Sequence, residues 1–144
     1  MPLITSTGYA HVRLTVTDIA RSKAFYDDVF GWPTAVDNSD RIDEPGITES
    51  VEDFFGGTVY QTPSGALFGL RPVAATGDAF DSERTGLDHV SFLVDARDDL
   101  VAAHDALEAK GVPHGEVIDL TDAGIAILSF SDPDGVHLEL TAQL

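Results

Sequence analysis

The chain has no cysteine. Disulfides, thiolate metal sites and cysteine nucleophiles are therefore excluded, and a cytoplasmic setting is expected. Positive charge is scarce: 8 Lys and Arg stand against 25 Asp and Glu, for a net charge of −17. Such a surface repels a phosphate backbone, so no nucleic-acid partner is expected. The acid excess speaks to solubility rather than to fold. No apolar run reaches the roughly 18 residues that a membrane span needs, so no membrane partner is expected either. No basic segment followed by an apolar one opens the chain, and no signal peptide is expected. There is no G-x-S-x-G elbow and no G-x-x-x-x-G-K-[ST] loop. A serine-hydrolase nucleophile and a phosphate cradle are thereby set aside.

What is present fits one ordinary globular domain of 144 residues, 43% hydrophobic and 23% charged, long enough to bury a core. That domain says the same thing twice. His11-Val12-Arg13-Leu14-Thr15-Val16 is answered by His89-Val90-Ser91-Phe92-Leu93-Val94, Gly31-Trp32-Pro33 by Gly111-Val112-Pro113, and Pro63-Ser64-Gly65 by Pro133-Asp134-Gly135. Three markers recur in one order, and internal repetition fixes architecture before any other signal. The copies part four residues past the turn glycine, where Gly135 leads to Glu139 but Gly65 leads to Gly69.

Residues 9–16 alternate and are β-branched, as a strand requires. Asp18 is placed to cap a helix over Ile19–Phe30, which Gly31 and Pro33 end. Residues 57–62 and 66–72 read as a hairpin about Thr62-Pro63-Ser64-Gly65. The second copy gives a strand at 87–94, Asp95 as cap, a helix to Lys110, and strands near 114–118, 124–131 and 136–141. Each half is thus β-α-β-β-β. Residues 37–56 hold many acids, Pro45, Gly46 and the pair Phe54-Phe55, and are expected to give the first half's second strand plus a mobile lid. The expected division is module one at 1–73, a linker at 74–86 and module two at 87–144, within a single domain.

Strand alternation sorts the side chains. Val12, Leu14, Val16, Val90, Phe92, Val94, Leu138 and Leu140 belong to apolar faces under the helices. The opposite faces carry His11, Arg13 and Thr15; His89, Ser91 and Leu93; His137, Glu139 and Thr141; and Leu67, Gly69 and Arg71. Two neutral imidazoles and one carboxylate, His11, His89 and Glu139, form a facial set for a divalent first-row ion with positions left open. A lone histidine at a strand start is more often a hydrogen-bonded residue than a ligand. Two at matched repeat positions, with a glutamate after the second turn, favour the metal. His137 shares the Glu139 face as a candidate acid–base residue, with plain surface as its alternative. Arg13 and Arg71 are candidate anchors for substrate charge, and Phe54 and Phe55 for covering the ligand. His104 and His114 are expected to be solvated.

The run Tyr9-Ala10-His11-Val12, with Asp18 and Phe25-Tyr26-Asp27-Asp28-Val29-Phe30-Gly31, then Leu87-Asp88-His89-Val90, then Asp132-Pro133-Asp134-Gly135 and Glu139-Leu140, resembles the vicinal oxygen chelate superfamily. That group holds glyoxalase I, extradiol dioxygenases, epimerases, fosfomycin-inactivating enzymes and bleomycin-sequestering proteins. The resemblance implies an α+β fold of two pseudo-symmetric βαβββ modules, an open, curled eight-stranded mixed sheet around a cleft. It implies His11, His89 and Glu139 as ligands of a divalent metal ion (Fe, Mn, Zn, Ni or Mg), a small-molecule substrate and a homodimer. Glyoxalase-like members tend to supply a further carboxylate where this chain has Gly69, so the set is closer to the extradiol dioxygenase arrangement. The expectation is an enzyme of dioxygenase, lyase or isomerase type acting on a small oxygen-bearing substrate. The alternative is a non-catalytic drug-sequestering protein of the bleomycin-binding type.

Overall fold

The computed structural model describes all residues from Met1 to Leu144. They form two compact units, Met1–Asp78 and Ala79–Leu144. No helix is long and apolar enough to cross a membrane.

Unit one contains β1 (His11–Thr15), α1 (Ile19–Val29), β2 (Thr34–Asp37), β3 (Thr58–Gln61) and β4 (Leu67–Arg71). Its sheet runs β1-β4-β3-β2. β1 and β4 are parallel, pairing His11 with Leu67, Arg13 with Gly69 and Thr15 with Arg71. Parallel neighbours need a long crossover, and α1 with the following hairpin supplies it. Asp18 caps α1 as expected, its carboxylate accepting the Arg21 N–H at 3.0 Å. The buried face carries Leu14, Tyr60, Phe68 and Leu70, and α1 lays Tyr26 on it, ring to ring with Phe68 at 5.2 Å. The Tyr60 hydroxyl donates to Asp27 at 2.9 Å. Burial, reinforced by that carboxylate, pushes its pKa up.

Unit two repeats the plan with β5 (Val90–Leu93), α2 (Arg97–Lys110), β6 (Ile118–Leu120), β7 (Ile125–Ser131) and β8 (His137–Gln143), ordered β5-β8-β7-β6. β5 and β8 are parallel, with Ser91 opposite Glu139 and Leu93 opposite Thr141. Leu100 and Leu107 of α2 are buried, as are Leu128, Leu138 and Leu140 on the sheet. The fold is therefore α+β, two βαβββ modules whose eight strands make two open four-stranded mixed sheets.

Three local readings change. The helix of module two is capped at Ala96 rather than Asp95, because Asp99 reaches back and accepts the Ala96 N–H at 2.9 Å. The strand expected near 114–118 starts later: His114 makes only an isolated bridge to Phe130, and β6 begins at Ile118. Strand β2 precedes most of the 37–56 segment, which folds instead into three short 3-10 turns at Ser39–Arg41, Ile47–Glu49 and Phe54–Gly56.

Charge pairing holds those turns. The Asp37 carboxylate accepts from Ser39 N at 3.1 Å, Ser39 Oγ at 2.6 Å and Thr58 Oγ1 at 3.0 Å, and it pairs with Lys23. Burial alone would raise its pKa, but the bonds from Lys23, Ser39 and Thr58 outweigh burial and hold it at about 2. Arg41 bridges Glu44 and Asp53, each at 2.9 Å, and Ile47 is buried beneath. Gly57 closes the segment. A Cβ there would lie 2.0 Å from the Leu70 carbonyl oxygen, so only glycine allows the chain to press this closely on β4.

Candidate functional site

The polar face of unit two is a connected string. β5 delivers His89 just ahead of Val90, and β8 delivers Glu139 opposite Ser91. His89 Nε2 lies 3.8 Å from Glu139 Oε1. Its Nδ1 faces Asp88 Oδ1 at 2.6 Å. In the neutral ring Nδ1–H donates to that carboxylate, which leaves Nε2 as the free base aimed at Glu139. Glu139 is mostly buried, and Thr141 Oγ1 donates to it at 3.2 Å. The Ser91 and Thr141 hydroxyls lie 2.6 Å apart. This face opens on a cavity of about 540 Å³, whose lining includes Asp88, His89, His137, Glu139, Ser129 and Ser131. His137 therefore shares the cavity with the two candidate ligands, and its ring meets Phe80 edge-on at 5.4 Å.

Two groups bound to one ion at about 2.0–2.2 Å lie roughly 3 Å apart. The 3.8 Å between His89 and Glu139 leaves less than an ångström to close, with the tautomer already set. The donor set of unit two therefore fits a divalent ion as two of three expected ligands. The third, His11, belongs to unit one, and within neither unit do three His, Asp or Glu side chains gather as a metal-binding group.

The equivalent face of unit one has the opposite character. His11, Arg13, Phe54, Val59, Leu67 and Gly69 line a cavity of about 70 Å³. Arg13 lies over Gly69: a Cβ on that glycine would be 3.2 Å from Arg13 Nε and 3.4 Å from its Cγ. A guanidinium thus covers the place where unit two has a carboxylate. Phe54 and Phe55 supply the rings. Arg13 Cζ is 5.7 Å and 5.6 Å from their centroids, and Arg71 Cζ sits 3.8 Å over Phe55. Both phenylalanines have left-handed backbones, φ 51° and 58°, each costing about 1–2 kcal/mol. Cation–π contact of roughly 0.5–2 kcal/mol per pair offsets part of this.

A sequence model described as the glyoxalase/bleomycin resistance protein/dioxygenase superfamily matches residues 8–140. The chain belongs to that superfamily. No functionally curated relative matches it. Among solved structures it is similar to a glyoxylase/bleomycin resistance protein/dioxygenase domain from Frankia sp. EAN1pec, with 28% identity, a TM-score of 0.76, and 97% of this chain and 94% of that one covered. It also shares its fold with the fosfomycin resistance protein FosX from Listeria monocytogenes, at 15% identity and TM-score 0.69 over 97% and 96% of the two chains. A lactoylglutathione lyase from Agrobacterium tumefaciens is alike in fold at 17% identity and TM-score 0.67 over 95% and 94%.

For a superfamily member, two features of this chain escaped the sequence reading. Asp88 and the Ser91–Thr141 pair support the candidate ligands; an acid directly before a strand-start histidine was the available signal. The expected solvation of His114 is corrected, whereas His104 keeps 24% of its side chain exposed. Their rings meet edge-on at 4.7 Å, and the His114 side chain is only 8% exposed. His114 Nδ1 lies 2.7 Å from the Gly115 carbonyl and Nε2 2.8 Å from Glu108. The carbonyl first, then the carboxylate, raise its pKa.

Proposed function

We propose that this superfamily member is a divalent-metal enzyme acting on a small oxygen-bearing organic molecule. His11, His89 and Glu139 hold the ion, and Arg13 and Arg71 receive substrate charge. The observation that carries this reading is the His89–Glu139 pair, 3.8 Å apart, with His89 Nδ1 engaged by Asp88. An ion bound there supplies Lewis acidity toward neighbouring substrate oxygens. The chain supplies the rest: Asp88 keeps the His89 proton on Nδ1, Thr141 orients Glu139, and Phe54 and Phe55 exclude water above Arg13. His137, in the same cavity, is the candidate for moving a proton.

Gly69 favours some reaction classes over others. Isomerisation between adjacent carbons needs a base beside the metal, and at this position stands a glycine covered by Arg13. Oxygenase or lyase chemistry therefore ranks above glyoxalase activity, and the hemithioacetal of methylglyoxal should not be turned over at an enzymatic rate. Titration of metal-free protein with Mn, Fe(II), Zn or Ni, followed by calorimetry, tests the ligand set; about one ion per site is expected. Wild-type binding that His89→Ala and Glu139→Gln leave unchanged would sink the assignment. The aromatic cover over unit one also suits a drug-sequestering protein. That reading wins if apo and metal-loaded protein bind a hydrophobic drug such as bleomycin equally and turn nothing over. A two-fold homodimer is the expected assembly; a sedimentation mass near the 15.3 kDa of one chain would contradict it.

A further inference from the structure

Arg13 and Arg71 stand on the two parallel strands β1 and β4 of unit one. In this acid-rich chain an arginine ordinarily finds a carboxylate. Arg41, Arg84 and Arg97 each do, within 3.4 Å. Arg13 and Arg71 do not. Arg71 Nε is shut off from solvent and meets no acceptor. Both guanidiniums lie at the Phe55 ring, Arg13 Cζ at 5.6 Å and Arg71 Cζ at 3.8 Å from its centroid. Two like charges are thus held together, partly desolvated, with a donor left over, and each of these conditions is unfavourable.

An anion would relieve all three conditions. The Phe54 and Phe55 rings attract the guanidinium charge but offer no oxygen acceptor, so the N–H groups remain to be met by acceptor oxygens. The cavity beside Arg13, about 70 Å³, is walled by Arg13 and not by Arg71, and it has room for a small head group. It is too small for a whole organic substrate. We propose that Arg13 and Arg71 form an oxyanion pocket that holds a carboxylate or phosphorus-oxyanion head group of the substrate beside His11. This rests on the reading above that the substrate binds on this face, and it narrows the substrate class to acidic small molecules whose body extends beyond the cavity.

The test needs no metal. In protein stripped with a chelator, the arginine Nε–Hε resonances are followed by ¹H–¹⁵N NMR during titration with methylphosphonate, with benzoate, and with neutral benzamide. Arg71→Lys and Arg13→Lys identify the two signals by their loss. Saturable shifts of both signals with either anion, and none with benzamide, are expected. A stronger response to methylphosphonate assigns a phosphorus head group, and a stronger response to benzoate a carboxylate. Arg71→Met should weaken binding roughly 10- to 100-fold, the range for losing a charged hydrogen bond. Absence of saturable shifts in the wild type, or benzamide binding as well as benzoate, overturns the proposal even if Arg71→Met does not fold. If the anions fail but the metal still binds through His89 and Glu139, this proposal falls and the metal reading stands.

Discussion

The two modules share strand order and register, yet at matched positions of one face their chemistry is inverted. Module two sets Ser91 opposite Glu139, while module one sets Arg13 opposite Gly69. The apolar faces hold their character: Leu14, Phe68 and Leu70 in one module correspond to Phe92, Leu138 and Leu140 in the other. Packing tolerates little change where side chains interlock. The polar face differs as a coupled pair. Where module two has the Glu139 carboxylate, module one has a glycine with the Arg13 side chain over it. A single-position comparison would report only a missing ligand; the pair reports a change of sign.

The largest expected effects sharpen this contrast directly. Glu139→Gln and His89→Ala should each weaken divalent-metal affinity by at least about 100-fold, more than the roughly 10–100-fold loss typical of outer-shell partners. Arg13→Gln should leave metal affinity within severalfold. Calorimetric titration of the three variants checks both, and equal losses would erase the distinction between the modules. Gly69→Glu makes module one imitate module two. The new Cβ would lie 3.2 Å from Arg13 Nε and 3.4 Å from its Cγ, a side chain that can give by a few tenths of an ångström, so the fold should survive and the new carboxylate should pair with Arg13. NMR titration with benzoate should then show binding weakened by roughly tenfold.

A smaller effect concerns stability. Asp37 has its folded pKa depressed to about 2 from 3.8. Its contribution is therefore present above about pH 4 and is lost as pH falls toward 2. Asp37→Asn should cost at most about 2 kcal/mol near pH 7 and flatten the stability curve between those values. Urea unfolding across pH measures it, and an unchanged slope would mean that the turns of module one do not depend on this carboxylate. Asp88→Asn should lower metal affinity by about tenfold, and a variant indistinguishable from wild type would remove Asp88 from its supporting role. Least of all, Glu108→Gln should lower the His114 pKa from its raised value without unfolding module two, as an NMR titration of the imidazole would show.

The repeat and its strands were legible because alternation and turn residues are local signals: His11 to Val16 and His89 to Val94 display one face each without tertiary help. The helix stops at Gly31 and Gly111 were equally local, both adopting positive φ. Three things were not. The Asp37 network joins residues 14 to 21 positions apart, and no periodicity records such pairs. Strand β2 ends at Asp37, the residue on which that network converges, so its bounds were no more readable than the network. The placement of Phe54 and Phe55 on the arginines required left-handed backbone at two aromatic residues, which propensity argues against. Within the candidate site, His11 and His89 stood out by repetition, and Glu139 by its place after the second turn, where the copies part. Asp88, Ser91 and Thr141 act through hydrogen bonds that only the folded register creates.

Gly57 bears on how the chain tolerates mutation. It touches no candidate ligand and adopts an ordinary negative φ, so a survey of loop positions would rank it as replaceable. Any side chain there would nevertheless collide with the Leu70 carbonyl and lift the aromatic turn from the strand that carries Gly69 and Arg71. A saturation library would find this position as intolerant as a binding residue, for reasons of clearance alone. The practical signature is that no substitution at 57, however conservative, should be rescued by adding ligand, whereas defects at Arg13 or Arg71 should grade with the size and charge of the replacement.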